Sequence, residues 1–162
     1  MIDIIKASKE EVSTINRLAY DIWYPTYENV ISKEQIDFML NNIYSIESLE
    51  KSIDEGTAFY LMNLDNVPVG FIGLSKKEEC LRIDKIYLLP ETQGKGLGKK
   101  FIDFASEIAL NLGYSQLELN VNRYNSAYHF YLKQGFKVVE SVDIPYYQFV
   151  LNDYIMRKAL IS

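Results

Sequence analysis

The chain has 162 residues, a net charge of −5, 48% hydrophobic residues and 24% charged residues. This length fits one domain that buries a core without disulfides, and this composition excludes a disordered chain. One cysteine and one histidine exclude an internal disulfide and a zinc cluster, so we expect no metal and a reducing, cytosolic location. No apolar run nears the ~18 residues of a membrane span, and the acidic balance argues against nucleic acid as a partner.

The predicted elements form one continuous α/β domain over 1–162, without linkers or repeats. In chain order we expect a strand over 1–6, a helix from Ser8 to Pro25, helices over 32–43 and 45–55, strands over 58–62, 67–74 and 81–89, a helix over 97–112, a strand over 116–122, a short helix from Asn125 to before Gly135, and strands over about 136–142 and 148–157. The patterns Ser8-Lys9-Glu10-Glu11 and Ser32-Lys33-Glu34-Gln35 are capping boxes. Asp65-Asn66 predicts a hairpin turn.

The strand over 81–89 changes phase along its length. Leu81 and Ile83 alternate in one phase, whereas Ile86 and Leu88 stand in the other. A slip of one residue inside a strand is what a β-bulge produces. Because bulges redirect backbone groups and often border active sites, this strand is a candidate wall of a site.

A glycine-rich loop separates this strand from the next helix. Gly94, Gly96 and Gly98 fall within five residues, and the window 92–102 holds three lysines and no acid. Glycines let a ligand approach backbone N–H groups, and the first N–H groups of a helix lack internal partners. Together with the helix dipole, this pattern favours a phosphate. A glycine-rich connection without a ligand is the alternative.

Two common nucleotide motifs do not fit the loop. The P-loop requires glycine at position 93 and serine or threonine at position 100, but the chain has Gln93 and Lys100. The dinucleotide pattern begun at Gly94 requires glycine at position 99, where the chain has Lys99. The loop therefore predicts an anion site of another kind.

The loop and a second motif resemble the GNAT superfamily of acyl-CoA N-acyltransferases. The segment 93–98, QGKGLG, is similar to the [QR]-x-x-G-x-[GA] loop of that family, and 86–90, IYLLP, to the bulged strand before it. Downstream, Asn125-Ser126-Ala127, Phe130-Tyr131 and Gly135-Phe136 resemble N-x-A-x-x-F-Y-x-x-x-G-F. The resemblance covers about 58–158. Bacterial spermidine/spermine acetyltransferases look most similar, through Trp23…Thr26-Tyr27 and the DYIM segment over 153–156.

The resemblance implies a mixed, largely antiparallel sheet flanked by helices, splayed between the strands over 81–89 and 116–122, with CoA in the gap. It implies acetyl-CoA as co-substrate and transfer to an amine by direct attack. The residues that it assigns to CoA are Ile86, Tyr87, Leu88, Gln93, Gly94, Lys95, Gly96, Leu97, Gly98, Lys99, Asn125, Ala127 and Lys133. For Lys133, a solvated helix face is the alternative.

The resemblance also implies catalytic roles. The Leu88 N–H, freed by the bulge, would bond the thioester carbonyl and then the oxyanion. Tyr131 would protonate the CoA thiolate as general acid. The alternative is that Tyr131 only packs in the hydrophobic core. The base is open between Asp84 and Glu118, because Arg82 stands where many relatives carry a carboxylate.

The acceptor pocket is expected at the exit of the first helix and the last strands. Its candidate residues are Trp23, Tyr24, Tyr27, Glu28 and Tyr146. Aromatic faces attract ammonium groups, which suits a polyamine and the net charge; packing in the core is the alternative.

Other functions stay open at this point. The acceptor could be a protein amine, a peptide N-terminus or an aminoglycoside-like drug, and the domain could be a CoA-binding sensor without turnover or a plain interaction domain. We expect a small-molecule amine as partner, and the oligomeric state, a homodimer included, is open.

Overall fold

The computed structural model describes residues 1–161 and contains one mixed sheet flanked by helices. Its strands are β1 (Ile2–Ala7), β2 (Ala58–Leu64), β3 (Val67–Lys76), β4 (Leu81–Leu88), β5 (Gln116–Asn122), β6 (Lys137–Tyr146) and β7 (Phe149–Ala159). Its helices are α1 (Val12–Tyr27), α2 (Lys33–Tyr44), α3 (Ile46–Asp54), α4 (Leu97–Asn111) and α5 (Ala127–Lys133). The predicted α/β class and the succession of elements are confirmed.

The sheet has the strand order β1-β2-β3-β4-β5-β7-β6. Every neighbouring pair is antiparallel except β4 and β5, which pair in parallel over Leu81–Ile83 and Leu117–Leu119 alone. Beyond these three pairs the two strands separate. The predicted splay is therefore present, and a gap opens in the middle of the sheet.

The predicted bulge lies at Asp84. Gly73 of β3 faces Lys85, and its neighbour Leu74 faces Ile83, so Asp84 is the extra residue on β4. This insertion changes which face each later residue of β4 occupies, and it explains the change of phase between Ile83 and Ile86.

The two faces of the sheet carry separate cores. Phe59 and Phe71 pack under α1, α2 and α3, whereas Leu117 and Leu119 pack against Phe101 of α4. The period-two alternation of strands divides side chains in this way. The gap between β4 and β5 thus lies between two helical layers, and its walls come from both.

Three local features test the sequence signals. The Ser8 capping box is present, at a 3-10 turn ahead of α1. Asp65 and Asn66 adopt φ of 50° and 68° in the predicted hairpin. The prediction that Pro25 ends the first helix is wrong, because α1 continues to Tyr27.

The continuation past Pro25 has a local cause. Proline removes one backbone donor, and the carbonyl that loses it belongs to Asp21, an exposed residue. In the same turn, the Thr26 hydroxyl donates to the Ile22 carbonyl at 2.7 Å.

Among the helices of residues 1–161, none combines the length and apolar character that a bilayer span requires.

Candidate active site

A cavity of about 970 Å³ begins where β4 and β5 separate. Fourteen of the residues singled out from the sequence line it: Trp23, Tyr27, Asp84, Ile86, Tyr87, Leu88, Gln93, Gly94, Gly96, Leu97, Gly98, Asn125, Ala127 and Tyr131. The structure therefore brings both sequence motifs and the end of the first helix to one place. Seven other candidates do not line it: Tyr24, Glu28, Lys95, Lys99, Glu118, Lys133 and Tyr146.

The glycine loop presents a row of backbone donors at this cavity. Gly94 and Gly96 adopt φ of 82° and 73°, the left-handed region that favours glycine. Within residues 1–161, the N–H groups of 94–99 donate no backbone or side-chain hydrogen bond, and the first bond of α4 runs from Lys100 N–H to the Gly96 carbonyl. Free donors at the start of a helix, together with the helix dipole, are features that favour a bound anion.

The loop is also packed tightly against the second motif. A Cβ added at Gly98 would lie 2.8 Å from Cζ of Phe130 in α5, so only glycine fits without displacement of that ring.

The positive field of the loop is weaker than the lysine count indicates. Lys99 Nζ bonds Asp103 Oδ2 at 2.7 Å, one residue beyond the acid-free window, which leaves Lys95 and Lys100 exposed beside it.

The free edge of β4 faces the gap. Leu89 N–H donates to the Val69 carbonyl at 2.8 Å, which directs it toward β3. Because backbone groups alternate sides along a strand, the N–H of Leu88 points the other way, toward the edge that β5 has left. Ile86 shares that direction. The splay of the strands, rather than the bulge alone, is what exposes these groups.

Tyr131 lies on α5 and is 7% exposed. Its ring packs between Phe130 and Phe136, at centroid distances of 5.4 and 5.8 Å. Burial, reinforced by the nearby Tyr27, raises its pKa well above the usual tyrosine value. The hydroxyl therefore keeps its proton throughout the neutral pH range.

Trp23, Tyr27, Tyr44 and Tyr87 line the cavity together and form an aromatic wall. Trp23 lies 4.6 Å from Tyr27, 5.5 Å from Tyr44 and 5.7 Å from Tyr87, measured between ring centroids. The hydroxyls of Tyr27 and Tyr87 are 2.8 Å apart, and burial raises the pKa of Tyr27 to about 12. Tyr44 was not among the sequence candidates, since it stands at the end of a different helix.

Three predicted acceptor residues lie elsewhere. The Tyr24 hydroxyl donates to Asp37, and this bond raises the pKa of Tyr24 to about 12. Glu28 is exposed. The Tyr146 hydroxyl accepts a hydrogen bond from Asn42. The two tyrosines are thus engaged in a helix–helix and a helix–strand contact outside the cavity wall.

The two carboxylates predicted as bases differ in place. Glu118 accepts bonds from Arg82 at 2.7 Å and from Arg157 at 2.9 Å. Burial alone would raise its pKa, but these two guanidinium groups outweigh burial and hold the pKa below the usual value. Asp84 lies in the cavity wall, where it accepts from Ser75 and pairs with Arg82 Nε at 3.3 Å.

Asp153 of β7 is a wall residue that sequence reasoning did not assign to the site. Burial raises the pKa of its carboxyl group, and Asn120 Nδ2 donates to it at 3.3 Å. The only sequence signal for Asp153 is that it begins the DYIM segment over 153–156. Its approach to the gap depends on the pairing of β7 with β5, which no local pattern encodes.

Lys85 is a second unassigned wall residue. Its Nζ lies 5.9 Å from the ring centroid of Tyr44 and 5.8 Å from that of Phe59. Within residues 1–161 no salt bridge holds it, and burial lowers the pKa of its ammonium group. The charge of Asp84 opposes this effect but does not outweigh it, so a partly buried cation that forms no salt bridge weakens the folded state.

Replacing Lys85 with methionine is therefore expected to raise the melting temperature at pH 7 by about 2–4 °C, the shift that roughly 1 kcal/mol gives at this size. Because the lowered pKa means that protonation favours the unfolded chain, the gain should shrink as the pH rises toward 10.5, the usual lysine value. Calorimetry measures both. Lys76→Met, at an exposed position of β3, is the control, and a fall in melting temperature for Lys85→Met would mean that its ring contacts dominate.

Comparison with known proteins decides the family. Residues 27–144 match the acetyltransferase (GNAT) domain. The chain belongs to the GNAT acetyltransferase family. It is therefore an acyltransferase, and the family resemblance and the GNAT-like fold read from the sequence are confirmed.

Individual relatives agree with this assignment. The chain is 32% identical to a spermidine N(1)-acetyltransferase of Thermoplasma acidophilum, over 97% of this chain and 96% of the relative. It is 32% identical to a peptidyl-lysine N-acetyltransferase of Salmonella typhimurium, over 61% and 65%. The crystal structure of the PaiA N-acetyltransferase of T. acidophilum in complex with coenzyme A superposes with a TM-score of 0.86 at 32% identity, covering 98% of this chain and 99% of that one.

Proposed function

We propose that this GNAT acetyltransferase moves the acetyl group of acetyl-CoA to a primary amine of a small polyamine, such as spermidine or spermine, by direct attack. The observation that carries the proposal is the row of N–H groups over 94–99, which donate no hydrogen bond to any of residues 1–161 and lie at the cavity between β4 and β5. The spermidine N(1)-acetyltransferase relative supports the choice of acceptor.

The residues present fit CoA along the length of the gap. The loop donors bind the diphosphate, with the backbone approach that Gly94 and Gly96 permit. Ile86 and Leu88 then offer strand-like hydrogen bonds to the pantetheine arm. The side chain of Asn125 accepts from the N–H of Ala127, the first residue of α5, at 3.0 Å, and the small Ala127 leaves room for the arm beside Tyr131. In this proposal, further residues line the bound CoA: Tyr87, Gln93, Leu97 and Gly98. Three lysines outside the cavity wall lie near its phosphate groups: Lys95, Lys99 and Lys133.

The chemical step uses two groups of this chain at the thioester that acetyl-CoA supplies. The N–H of Leu88 donates to the carbonyl oxygen and binds it more strongly as negative charge develops there. Tyr131 gives its proton to the departing thiolate. Its raised pKa suits this role, because an acid that is protonated at neutral pH is ready before the bond breaks.

The aromatic wall supports a cationic acceptor. Trp23, Tyr27, Tyr44 and Tyr87 all line the cavity, and aromatic rings attract ammonium groups. Asp84 is a carboxylate of the same cavity wall. Glu118 lies outside that wall and is paired with Arg82 and Arg157, so it is unsuited to take a proton. The proposal leaves out Tyr24, Glu28 and Tyr146, since none of them lines the cavity.

Acetyl-CoA at 100 times its Kd is expected to stabilise the protein by about 2.7 kcal/mol, because a ligand that binds only the folded state shifts the unfolding equilibrium by mass action. Calorimetry with acetyl-CoA measures the shift. A plain interaction domain would give none.

Release of free CoA from acetyl-CoA is expected to be fastest with spermidine or spermine in a panel that also contains a lysine peptide, a peptide N-terminus and an aminoglycoside. The lysine peptide is the serious rival, since one relative is a peptidyl-lysine N-acetyltransferase. Faster turnover with that peptide would move the proposal to a protein acceptor. Binding of acetyl-CoA without turnover on any amine would identify a sensor instead.

We retain three further sequence predictions within this proposal: one catalytic domain over 1–162, a cytosolic location, and no nucleic-acid or membrane partner. The oligomeric state, a homodimer included, is open to measurement by light scattering.

A further inference from the structure

A polyamine acceptor needs a proton acceptor in the cavity. Alkyl amines have a pKa near 10, so about one molecule in a thousand is neutral at pH 7. Only the neutral amine has a lone pair that attacks a carbonyl carbon. We propose that Asp153 is the catalytic base, whose carboxylate binds the acceptor ammonium in the cavity and takes its proton. The proposal rests on the N-acetyl transfer proposed above.

Asp153 stands at the edge of the gap. It lies on β7 opposite Asn122 of β5, in the part of β5 beyond Leu119 where pairing with β4 has stopped. Its side chain lines the same cavity as Tyr131 and the aromatic wall. An ammonium group bound at Asp153 would therefore lie in the same cavity as the proposed thioester.

The carboxylate of Asp153 is held by a neutral amide. Asn120 Nδ2 donates to it at 3.3 Å, while Asn120 Oδ1 accepts from Arg82 Nη2 at 2.8 Å. Because a guanidinium only donates, Arg82 fixes which end of the Asn120 amide faces Asp153. This gives Arg82 a positioning role, through Asn120, at the carboxylate of Asp153.

The other two candidate bases are bonded to guanidinium groups. Asp84 and Glu118 both form salt bridges with Arg82, and Glu118 forms another with Arg157. Within residues 1–161, no salt bridge engages the carboxylate of Asp153. Arg123 lies nearby, but its Nη1 bonds the main-chain carbonyl of Asp153 at 3.2 Å and its Nη2 pairs with Asp143 at 2.6 Å.

The charged and titratable surroundings favour proton uptake. Burial raises the pKa of the Asp153 carboxyl group. The hydrogen bond from Asn120 and the more distant charges of Arg123 and Arg82 lower that pKa, but burial outweighs them. Tyr27 of α1 faces it with a hydroxyl whose own pKa is raised. Arg82 of β4 pairs with Asp84 and with Glu118 of β5, and Glu118 also pairs with Arg157 of β7. Asp143 of β6 pairs with Arg123. A carboxylate with a raised pKa is a stronger base than an exposed one.

The proton count balances without another reactant. Asp153 takes one proton from the ammonium group, and the lone pair thus freed attacks the carbonyl carbon to form the C–N bond. The C–S bond breaks when the resulting oxyanion collapses. The thiolate takes the proton of Tyr131. The second proton that the nitrogen loses restores the Tyr131 hydroxyl, and Asp153 returns its proton to water.

Asp153→Asn is expected to lower kcat/KM for spermidine at pH 7 by about 100-fold, the lower bound for loss of a general base, and to leave acetyl-CoA affinity within twofold. The loss should diminish with a fluorinated amine that is already neutral at pH 7, because that acceptor needs no base before attack. Asp143→Asn, an exposed carboxylate on the neighbouring strand, is the control and should match the wild type.

A second variant separates catalysis from folding. Asn120→Leu removes the donor that favours the charged carboxylate, so the acidic limb of the kcat/KM profile should move to higher pH. An unmoved limb, an undiminished loss with the fluorinated amine, or the same pattern in Asp84→Asn instead would overturn the assignment to Asp153. No wild-type turnover on any amine would overturn the proposed function, and this inference with it.

Discussion

Replacing Gly96 with valine is expected to weaken acetyl-CoA binding at least about 100-fold, or roughly 2.7 kcal/mol. Gly96 has a φ of 73° at the start of α4, a conformation that β-branched residues rarely adopt. The strain should turn the loop and misalign the N–H groups of 94–99. Each charge-assisted hydrogen bond to a phosphate contributes about 1.5–3 kcal/mol, so the loss of one or two is sufficient. Isothermal titration measures the affinity.

Gly113→Val is the matched control for this variant. Gly113 follows the other end of α4 with a φ of 88°, and like Gly96 it has no atom within 4 Å of an added Cβ. The two substitutions therefore impose similar backbone strain on one helix. Only the Gly96 variant should lose affinity for acetyl-CoA. Equal losses in both would show that general destabilisation, rather than the loop donors, sets the affinity.

Tyr131→Phe is expected to lower kcat about 100-fold or more while the Kd for acetyl-CoA stays within twofold. A general acid contributes roughly 10²–10⁴-fold in rate, whereas the ring, which phenylalanine retains, supplies the packing. Steady-state kinetics and titration measure the two quantities. Tyr60→Phe is a suitable control, because Tyr60 packs against Phe104, at a centroid distance of 4.8 Å, away from the cavity wall.

The pH dependence gives an independent test of Tyr131. Since burial raises its pKa, the hydroxyl stays protonated at and above the usual tyrosine value near 10. The wild-type kcat should therefore not fall near that pH through loss of this proton. Unchanged turnover in Tyr131→Phe would mean that another group, or water, protonates the thiolate.

Local sequence patterns predicted the features that depend on neighbouring residues. The glycine spacing of 94–98 predicted the loop at the start of α4, and the change of phase after Ile83 predicted the bulge at Asp84. Both follow from backbone geometry that a few adjacent residues determine. By contrast, the sequence predicts a connection over 143–147, whereas β6 extends to Tyr146 and β7 begins at Phe149. The short turn carries no glycine or asparagine signal, because Tyr147 supplies its positive φ of 54°.

The site residues that depend on distant partners could not be predicted in this way. Asp153 reaches the cavity through the pairing of β7 with β5, and Tyr44 through the packing of α2 on α1. Glu118 was a reasonable candidate by its strand position. Its two arginine partners come from β4 and β7, 36 and 39 residues away in sequence, and they remove it from the cavity.

A crystal structure with bound acetyl-CoA tests the central claim most directly. The account predicts diphosphate oxygens about 3 Å from the backbone nitrogens of 94–99, and a thioester between β4 and β5 with its carbonyl oxygen at Leu88 N–H. A diphosphate bound elsewhere, with the N–H groups of 94–99 facing only water, would contradict it.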